Sequence, residues 1–263
     1  MGLFFKNIYL HILQQYHLFM KIIIPMAGKG KAFNDAGYTF PKPLIDINDK
    51  PMIQIVVENL NLIGDYIFLV QKEQHDKFSM KELLNLFQPN CKIITIDHNT
   101  QGAAKTVLLA KDLINNDEEL IIANADQWVN WNPQHFLSFL RSKNADGGIV
   151  TFISTHPRWS FVKIGENNLV TEVAEKKPIS NIATAGIYYF KKGRYFVEGV
   201  EEMIRKNIHI NNEFYIVPSF NEIIKQHSKI YSYPVAEMKG LGTPEELNQF
   251  INSNHPITKA TES

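Results

Sequence analysis

One stretch of the chain decides the fold: Ile22-Ile23-Ile24-Pro25-Met26-Ala27-Gly28-Lys29-Gly30-Lys31-Ala32-Phe33. An apolar run leads directly into a turn that holds two glycines and two lysines. Glycines allow backbone N–H groups to approach an anion closely, and the lysines add positive charge. Taken alone, the pattern leaves two interpretations open: a phosphate-binding turn, or a turn that serves tight packing in an α/β fold.

Two common phosphate motifs do not match this turn. The dinucleotide fingerprint Gly-x-Gly-x-x-Gly fails because Phe33 occupies the position of the third glycine. The spacing of a Walker P-loop, Gly-x-x-x-x-Gly-Lys-Ser/Thr, occurs nowhere in the sequence. The residues therefore disfavour both a nicotinamide enzyme and a P-loop NTPase.

Apolar runs alternate with helical patterns on either side of the turn. The strand-like runs are Lys21–Pro25, Tyr66–Gln71, Lys92–Asp97, Leu120–Ala123 and Gly148–Ser154. The helical patterns are Met52–Leu62, Met80–Phe87, Ala103–Ile114 and Pro133–Ser142. Strands separated by helices predict a doubly wound, mostly parallel α/β sheet.

The rhythm changes after residue 148, where a β-rich segment begins. Helical patterns return near Tyr195–Lys206 and Ser219–Gln226, and Thr243-Pro244-Glu245 is typical of a helix start. We therefore expect one domain over residues 20–250, with residues 148–215 as a β-rich insertion and residues 251–263 as a tail.

The first nineteen residues carry an apolar stripe at three- or four-residue steps, formed by Leu3, Phe4, Ile8, Ile12, Tyr16 and Phe19. Polar residues interrupt the stripe, so the segment is too polar for a membrane span and lacks the shape of a signal peptide. We interpret it as an upstream extension before a start at Met20, or as an amphipathic helix packed on its own domain. A membrane-surface or partner-binding helix is the alternative.

The composition excludes several functional classes. Lysine plus arginine and aspartate plus glutamate both number 27, so the formal net charge is zero, which disfavours sequence-independent binding to nucleic acid. With 44% hydrophobic residues, the chain is typical of a globular protein. The single cysteine, Cys91, permits neither an intramolecular disulfide nor a cysteine zinc cluster and favours a cytoplasmic setting.

A second motif, Pro41-Lys42-Pro43-Leu44, holds a lysine on a stiff, extended backbone. By itself it fits a rigid loop with a solvated lysine. Together with Ala27-Gly28-Lys29-Gly30-Lys31-Ala32, it resembles the sugar nucleotidyltransferases, or nucleoside-diphosphate-sugar pyrophosphorylases. That family opens with a strand, Ala-Gly-x-Gly-x-Arg and then Pro-Lys-Pro-Leu. The following Asp49-Lys50-Pro51-Met52-Ile53 is similar to the family's Gly-Lys-Pro-Met-Ile turn.

The resemblance extends to about Phe250 and implies a Rossmann-like, GT-A-like fold. Its further matching segments are Gln101-Gly102-Ala103-Ala104, Asn124-Ala125-Asp126, Glu172-Val173-Ala174-Glu175-Lys176-Lys177-Pro178, Ala183-Thr184-Ala185-Gly186-Ile187-Tyr188 and Leu241-Gly242-Thr243-Pro244-Glu245-Glu246. In the family these segments line the nucleotide base, hold the metal, contact the acceptor and begin the closing helix.

The implied reaction is attack of a phosphate oxygen on the α-phosphorus of an NTP, with release of pyrophosphate. Lys42 would stabilise the α-phosphate, and Asp126 would hold Mg²⁺. The resemblance assigns the nucleotide to Ala27, Gly28, Lys29, Gly30, Lys31, Gln101, Gly102 and Ala103. It assigns the phosphorylated small-molecule acceptor to Glu175, Lys176, Lys177, Thr184 and Gly186. The family's usual setting is the synthesis of surface polysaccharide precursors, and it also implies a homo-oligomer.

Two positions depart from the family pattern. The loop arginine is replaced by Ala32, and a lysine nearby offers a point charge in place of a bidentate fork. The second metal-binding aspartate falls on Gly240, so we expect Glu213, from another segment, as a substitute metal ligand. These departures motivate a non-catalytic nucleotide-binding relative as one alternative.

A GT-A-like glycosyltransferase is the other alternative, disfavoured because such an enzyme does not need the phosphate anchors of Pro-Lys-Pro-Leu and Glu-Lys-Lys-Pro.

The residues do not identify the nucleotide base. The stretch Thr155-His156-Pro157-Arg158-Trp159-Ser160 matches no acceptor-binding motif, so the acceptor is either a sugar phosphate or another phosphate.

Overall fold

The computed structural model describes residues 20–226 and 228–253. The predicted helix before Met20 and most of the predicted tail lie outside these ranges. The strands are β1 (Met20–Pro25), β2 (Asp46–Ile47), β3 (Lys50–Pro51), β4 (Asp65–Gln71), β5 (Lys92–Ile96), β6 (Glu119–Ala123), β7 (Gln127–Asn130), β8 (Gly147–Ile153), β9 (Ser160–Ile164), β10 (Val170–Glu175), β11 (Ile182–Phe190), β12 (Ile230–Pro234) and β13 (Glu237–Gly240).

The helices are α1 (Lys31–Asp35), α2 (Met52–Leu60), α3 (Lys72–Lys77), α4 (Met80–Phe87), α5 (Ala103–Leu108), α6 (Lys111–Ile114), α7 (Pro133–Ser142), α8 (Gly193–Arg205), α9 (Ser219–Ile224) and α10 (Pro244–Asn252). Short 3₁₀ turns cover Lys42–Leu44 and Glu166–Asn168. No helix in the described part of the chain is long and apolar enough to span a bilayer.

The main sheet combines a parallel half with a β-rich half. Its strands lie in the order β10-β9-β11-β6-β1-β4-β5, with β8 paired to β11 and β12 paired to β8. Strands β6, β1, β4 and β5 are parallel to one another, whereas β11 runs antiparallel to β6 and β8. The α/β prediction with a β-rich insertion is therefore confirmed, and the sheet as a whole is mixed.

Strand β1 lies inside the parallel half and is buried on both faces. Ile22 and Ile24 pack into one core cluster and Ile23 into the other, each fully shielded from solvent. Alternate side chains of a strand point to opposite faces, so a continuous isoleucine run is the pattern that a sheet covered by helices on both sides requires.

Helix boundaries follow local capping geometry. Helix α2 ends where Asn61 adopts a left-handed conformation (φ 44°), two residues earlier than the apolar pattern predicts. The predicted helix Ala103–Ile114 is divided into α5 and α6. The division follows from a tightened turn, in which the N–H groups of Leu109 and Ala110 bond to carbonyls only three residues back.

The Asn59 side chain connects α2 to β7, the strand that follows Asp126. Its amide donates to the Val129 carbonyl at 2.9 Å and accepts from the Val129 N–H at 2.8 Å. The backbone carbonyl of Asn59 accepts from the Trp131 indole N–H at 3.0 Å. Because β7 has only β13 as a partner among the described strands, Asn59 supplies the pairing that a second neighbouring strand would give.

Replacing Asn59 by alanine leaves both polar groups of buried Val129 without these partners. We expect Asn59→Ala to lower the free energy of unfolding by about 2 kcal/mol, measured by urea denaturation. Asn85→Ala is the matched control, because the Asn85 side chain bonds to backbone at an exposed site, where water replaces it. Equal stability of the two variants would contradict this role of Asn59.

Candidate active site

A cavity of about 880 Å³ opens at the carboxyl ends of the four parallel strands. Its wall includes Met26–Lys29 after β1, Gln71 at the end of β4, Asp97–Thr100 after β5, and Asn124–Asp126 after β6. Open α/β sheets bind ligands at this edge, because the strand ends place loops of different origin around one crevice.

Hydrogen bonds hold the glycine turn in place. Gln71 donates to the Ala27 carbonyl at 2.7 Å, and Asn34 donates to the Lys29 carbonyl at 2.9 Å. Both hydrogen bonds are accepted by backbone carbonyl oxygens, so neither of them involves the N–H groups of the turn. Ala27, Gly28 and Lys29 line the cavity, as the phosphate-binding interpretation of the turn requires.

Gly30 lies behind Lys42 and is not part of the cavity wall. Gly30 has a left-handed conformation (φ 61°), and a Cβ there would lie 3.3 Å from the Lys42 Cβ. A side chain at position 30 would therefore crowd the lysine. The small turn and the Pro-Lys-Pro segment pack against each other, which explains why the two motifs occur together.

Lys42 and Asp126 form an ion pair in the cavity. The Lys42 Nζ lies 2.6 Å from Asp126 Oδ2, and about a quarter of each side chain is exposed (21% and 27%). Lys42 begins a 3₁₀ turn in which Pro43 is buried, so its backbone is anchored while its ammonium group reaches the cavity. The pair is open to a ligand that offers competing negative charge.

A close backbone approach joins the wall after β5 to a distant segment. A Cβ on Gly102 would lie 2.6 Å from both the N and the O of Phe214, and Gly102 has a φ of 110°. Phe214 donates its N–H to the Gln101 carbonyl at 2.8 Å, and its own carbonyl accepts from Ala104 at 2.9 Å. Only glycine fits this position, so Gly102 and Ala103 enter the wall beside Glu213 and Tyr215.

Besides Gly30, three of the predicted site residues lie outside the cavity wall. Lys31 is exposed and pairs with Asp35 at 2.5 Å, within helix α1. The Gln101 side chain accepts from Lys105 at 2.8 Å and is exposed. Lys177 is exposed beyond the end of β10. The sequence places these residues in the right segments, but the direction of each side chain depends on local backbone geometry.

Glu175 lies at the inner end of β10 and accepts a hydrogen bond from Ser160, its register partner on β9. Burial raises the pKa of the Glu175 carboxyl above its ordinary value of 4.5; the Ser160 hydroxyl and the Lys176 charge lower this pKa, and the nearby Glu213 carboxylate raises it. A half-buried carboxylate on the cavity wall is a strong hydrogen-bond acceptor for a ligand hydroxyl.

Strand β11 contributes Thr184 and Gly186 to the same wall. The Gly186 carbonyl accepts from the Asn124 N–H at 2.9 Å and from the Gln127 side chain at 3.0 Å. A Cβ at position 186 would lie 2.0 Å from Gln127 Oε1. Gly186 therefore keeps β11 close to the connection that carries Asp126.

Lys176 belongs to a chain of polar contacts with Tyr215 and Glu213. The Lys176 ammonium group donates to the Tyr215 hydroxyl at 2.6 Å, which donates to Glu213 Oε2 at 2.6 Å. Lys176 also lies 4.5 Å from the centre of the Tyr215 ring. Burial, together with the Glu213 carboxylate, raises the pKa of the Tyr215 hydroxyl, which keeps it protonated as a donor.

Arg158 and Trp159 also line the cavity, although no motif in the sequence marks them as site residues. The Arg158 guanidinium stacks 4.1 Å from the centre of the Trp159 ring, and its Nη2 lies 2.5 Å from Glu246 Oε1. In the sequence, an arginine next to a tryptophan is only a weak indication that the two side chains stack. The partner, Glu246, comes from α10 and could not be inferred from spacing.

Packing explains why position 240 is a glycine in this chain. A Cβ there would lie 2.3 Å from Glu246 Oε1, so the Glu246 carboxylate fills the space that a side chain at position 240 would need. The other oxygen of Glu246 accepts from the N–H groups of Gly242 and Thr243, each at 3.1 Å, and caps α10.

The donor set fits a magnesium ion held mainly by its substrate. Across residues 20–226 and 228–253, no group of three or more histidine, cysteine, aspartate or glutamate side chains is arranged to hold a metal. Mg²⁺ commonly uses one or two carboxylates together with phosphates, and Asp126 offers one within the cavity. Glu213 lines the same cavity, but the Tyr215 hydroxyl engages its carboxylate.

Comparisons with known proteins agree with this architecture. A structure of the nucleoside-diphosphate-sugar pyrophosphorylase from Vibrio cholerae RC9 aligns with a TM-score of 0.75 at 25% identity, covering 87% of this chain and 98% of that one. The bifunctional protein GlmU of Methanocaldococcus jannaschii is 29% identical over 66% of this chain and 40% of its own length. Mannose-1-phosphate guanylyltransferase 1 of Arabidopsis thaliana is 30% identical over 64% of this chain and 49% of its own length.

The chain thus spans less than half the length of these two curated relatives. The family model described as nucleotidyl transferase matches residues 21–241, which is most of the described structure and includes the glycine turn, Lys42, Asp126 and the β-rich segment. The chain therefore belongs to the nucleotidyl transferase family.

Proposed function

We propose that this chain transfers a nucleoside monophosphate from an NTP to a sugar 1-phosphate or a similar phosphorylated small molecule, with release of pyrophosphate. The observation that carries the proposal is the Lys42–Asp126 pair beside the glycine turn, in a cavity walled by the ends of four parallel strands. Family membership and the names of the relatives support the same reaction class.

Phosphoryl transfer of this kind needs positioning and charge compensation more than covalent help from the protein. The N–H groups of the turn formed by Ala27, Gly28 and Lys29 face the triphosphate. The bound phosphates compete with Asp126 for Lys42, whose ammonium group then stabilises the charge that develops at the α-phosphorus. The wall at Gly102 and Ala103 takes the nucleoside.

Asp126 would hold Mg²⁺, the ion that when bound neutralises charge on the crowded phosphates. Pairing with Lys42 keeps the Asp126 carboxylate in place when no phosphate is present. Glu213 is our candidate for a second ligand, since it lines the same cavity. Because Gly240 stands where the family has its second metal-binding aspartate, Asp126 is the principal carboxylate of the site.

The acceptor lies along the β9, β10 and β11 side of the cavity. Lys176 faces its phosphate, Glu175 accepts hydrogen bonds from its hydroxyl groups, and Thr184 and Gly186 border it. We place this reaction in the supply of nucleotide-activated precursors for surface polysaccharides, in the cytoplasm, by a homo-oligomer. The ground for that placement is the resemblance to the sugar nucleotidyltransferases, and the single cysteine suits a reducing compartment.

The proposal is tested by measuring pyrophosphate release with each of the four NTPs and a panel of phosphorylated acceptors that includes glucose 1-phosphate and mannose 1-phosphate. We expect Lys42→Ala to reduce kcat by about 10²- to 10³-fold, because the charge at the α-phosphorus loses its stabilising cation. Lys163→Ala, at an exposed position of β9, is the control. Wild-type turnover in Lys42→Ala, or nucleotide binding without turnover of any pair, would overturn the proposal.

Metal dependence is a separate test. We expect EDTA to abolish pyrophosphate release and excess Mg²⁺ to restore it, since one carboxylate and the phosphates form the site. Calorimetric titration of Mn²⁺ into the nucleotide complex should show weaker binding for Asp126→Asn than for Asp35→Asn, whose carboxylate lies on the exposed face of α1. Full activity in EDTA would rule out the metal.

The raised pKa of Glu175 predicts a pH dependence of stability. Above about pH 4.5 the folded state holds this proton more tightly than the unfolded state, so stability is lost as pH rises towards the folded-state pKa. We expect the free energy of unfolding of the wild type to fall relative to Glu175→Gln over this interval, by urea denaturation. Ser160→Ala should extend the interval to higher pH, and parallel pH profiles of wild type and Glu175→Gln would contradict the assignment.

A further inference from the structure

We propose that Arg158 binds the phosphate of the acceptor through its guanidinium fork. The inference rests on the proposed function, because it names a further binding residue for the same reaction. Arg158 is the arginine on the described cavity wall, and nothing in its sequence context assigned it a role.

The register of the β-rich segment places Arg158 beside Lys176. Strands β9 and β10 pair up to Ser160 opposite Glu175. One step further, the Lys176 N–H donates to the Trp159 carbonyl at 3.1 Å. Arg158 therefore leaves the ladder at the same end as Lys176, and both side chains reach the cavity. Two cations from adjacent strands suit one phosphate group.

Arg158 is held in place before any ligand binds. Its guanidinium stacks on Trp159, whose ring packs edge-on against Phe152 with centres 5.4 Å apart. One end faces Glu246, and that carboxylate is itself fixed by the N–H groups of Gly242 and Thr243. Guanidinium has five N–H donors in a rigid fork, and the Arg158 side chain remains 44% exposed, so donors remain for a phosphate.

A series of contacts links the glycine turn to Arg158 through the Lys42–Asp126 pair. Gly30 packs on Lys42, whose ammonium group meets Asp126. A Cβ on Gly242 would lie 3.1 Å from Asp126 Oδ2 and 3.4 Å from Glu246 Oε2, so this glycine borders both carboxylates. The Glu246 carboxylate in turn contacts the Arg158 guanidinium. Since the turn at one end of this series faces the triphosphate in the proposed function, we assign the attacking acceptor phosphate to Arg158 at the other end.

The test compares Arg158→Lys, Glu246→Gln and the control Arg194→Lys, which lies on the exposed side of α8 and pairs with Asp117. Steady-state kinetics with the best NTP and acceptor from the panel give kcat and both KM values. Binding of inorganic phosphate to the protein saturated with a non-hydrolysable NTP analogue, followed by ³¹P NMR, needs no acceptor. Thermal unfolding gives the stability of each variant.

We expect Arg158→Lys to raise the acceptor KM by about tenfold and to weaken phosphate binding by a similar factor, with the KM for NTP unchanged. Glu246→Gln keeps the helix cap but loses the ion pair, so it should raise the acceptor KM by a smaller factor of about three at nearly unchanged Tm. Arg194→Lys should match the wild type in every measurement.

Two results would overturn the inference. An unchanged acceptor KM in Arg158→Lys with a lowered Tm would show that Arg158 only tethers the β-rich segment to α10. A raised KM for NTP with an unchanged acceptor KM would move Arg158 to the triphosphate. Failure of the proposed function is a different result, namely no turnover by the wild type, and the phosphate-binding comparison would still decide the role of Arg158.

Discussion

The burial of strand β1 on both faces is the constraint on which the structure depends. Its isoleucines have no solvent-facing side, so helices have to cover the sheet above and below. The strand consequently lies between β4 and β6, and all three end at the same edge. The glycine turn, Gln71 and the connection that carries Asp126 meet there because the packing of the core leaves them no other position.

Charge compensation organises the cavity that results. Three of the four lysine and arginine side chains on its described wall contact an oxygen: Lys42 meets Asp126, Lys176 meets Tyr215, and Arg158 meets Glu246. An anion pocket without its ligand is stable only if its cations are not left close together and uncompensated. The whole chain likewise has equal numbers of basic and acidic residues, so its formal net charge is zero.

The sequence was most informative where backbone requirements are strict. Helices α4 and α7 have the predicted bounds, and the two glycine- and proline-containing motifs lie together at the strand ends. The directions of long side chains were not predictable, as Lys31 and Lys177 show. The contact between Arg158 and Glu246 joins segments far apart in the sequence, and it requires the register of β9 with β10 and the cap of α10 to be known first.

The contact between Gly102 and Phe214 bears on attempts to redesign this protein. A β-rich segment taken from a relative would bring its own backbone at positions equivalent to 213–215, and that backbone has to seat directly on Gly102. The proposed nucleoside wall and the proposed acceptor side are therefore not interchangeable modules. Exchange of one side requires a backbone on the other side that fits the close contact between Gly102 and Phe214.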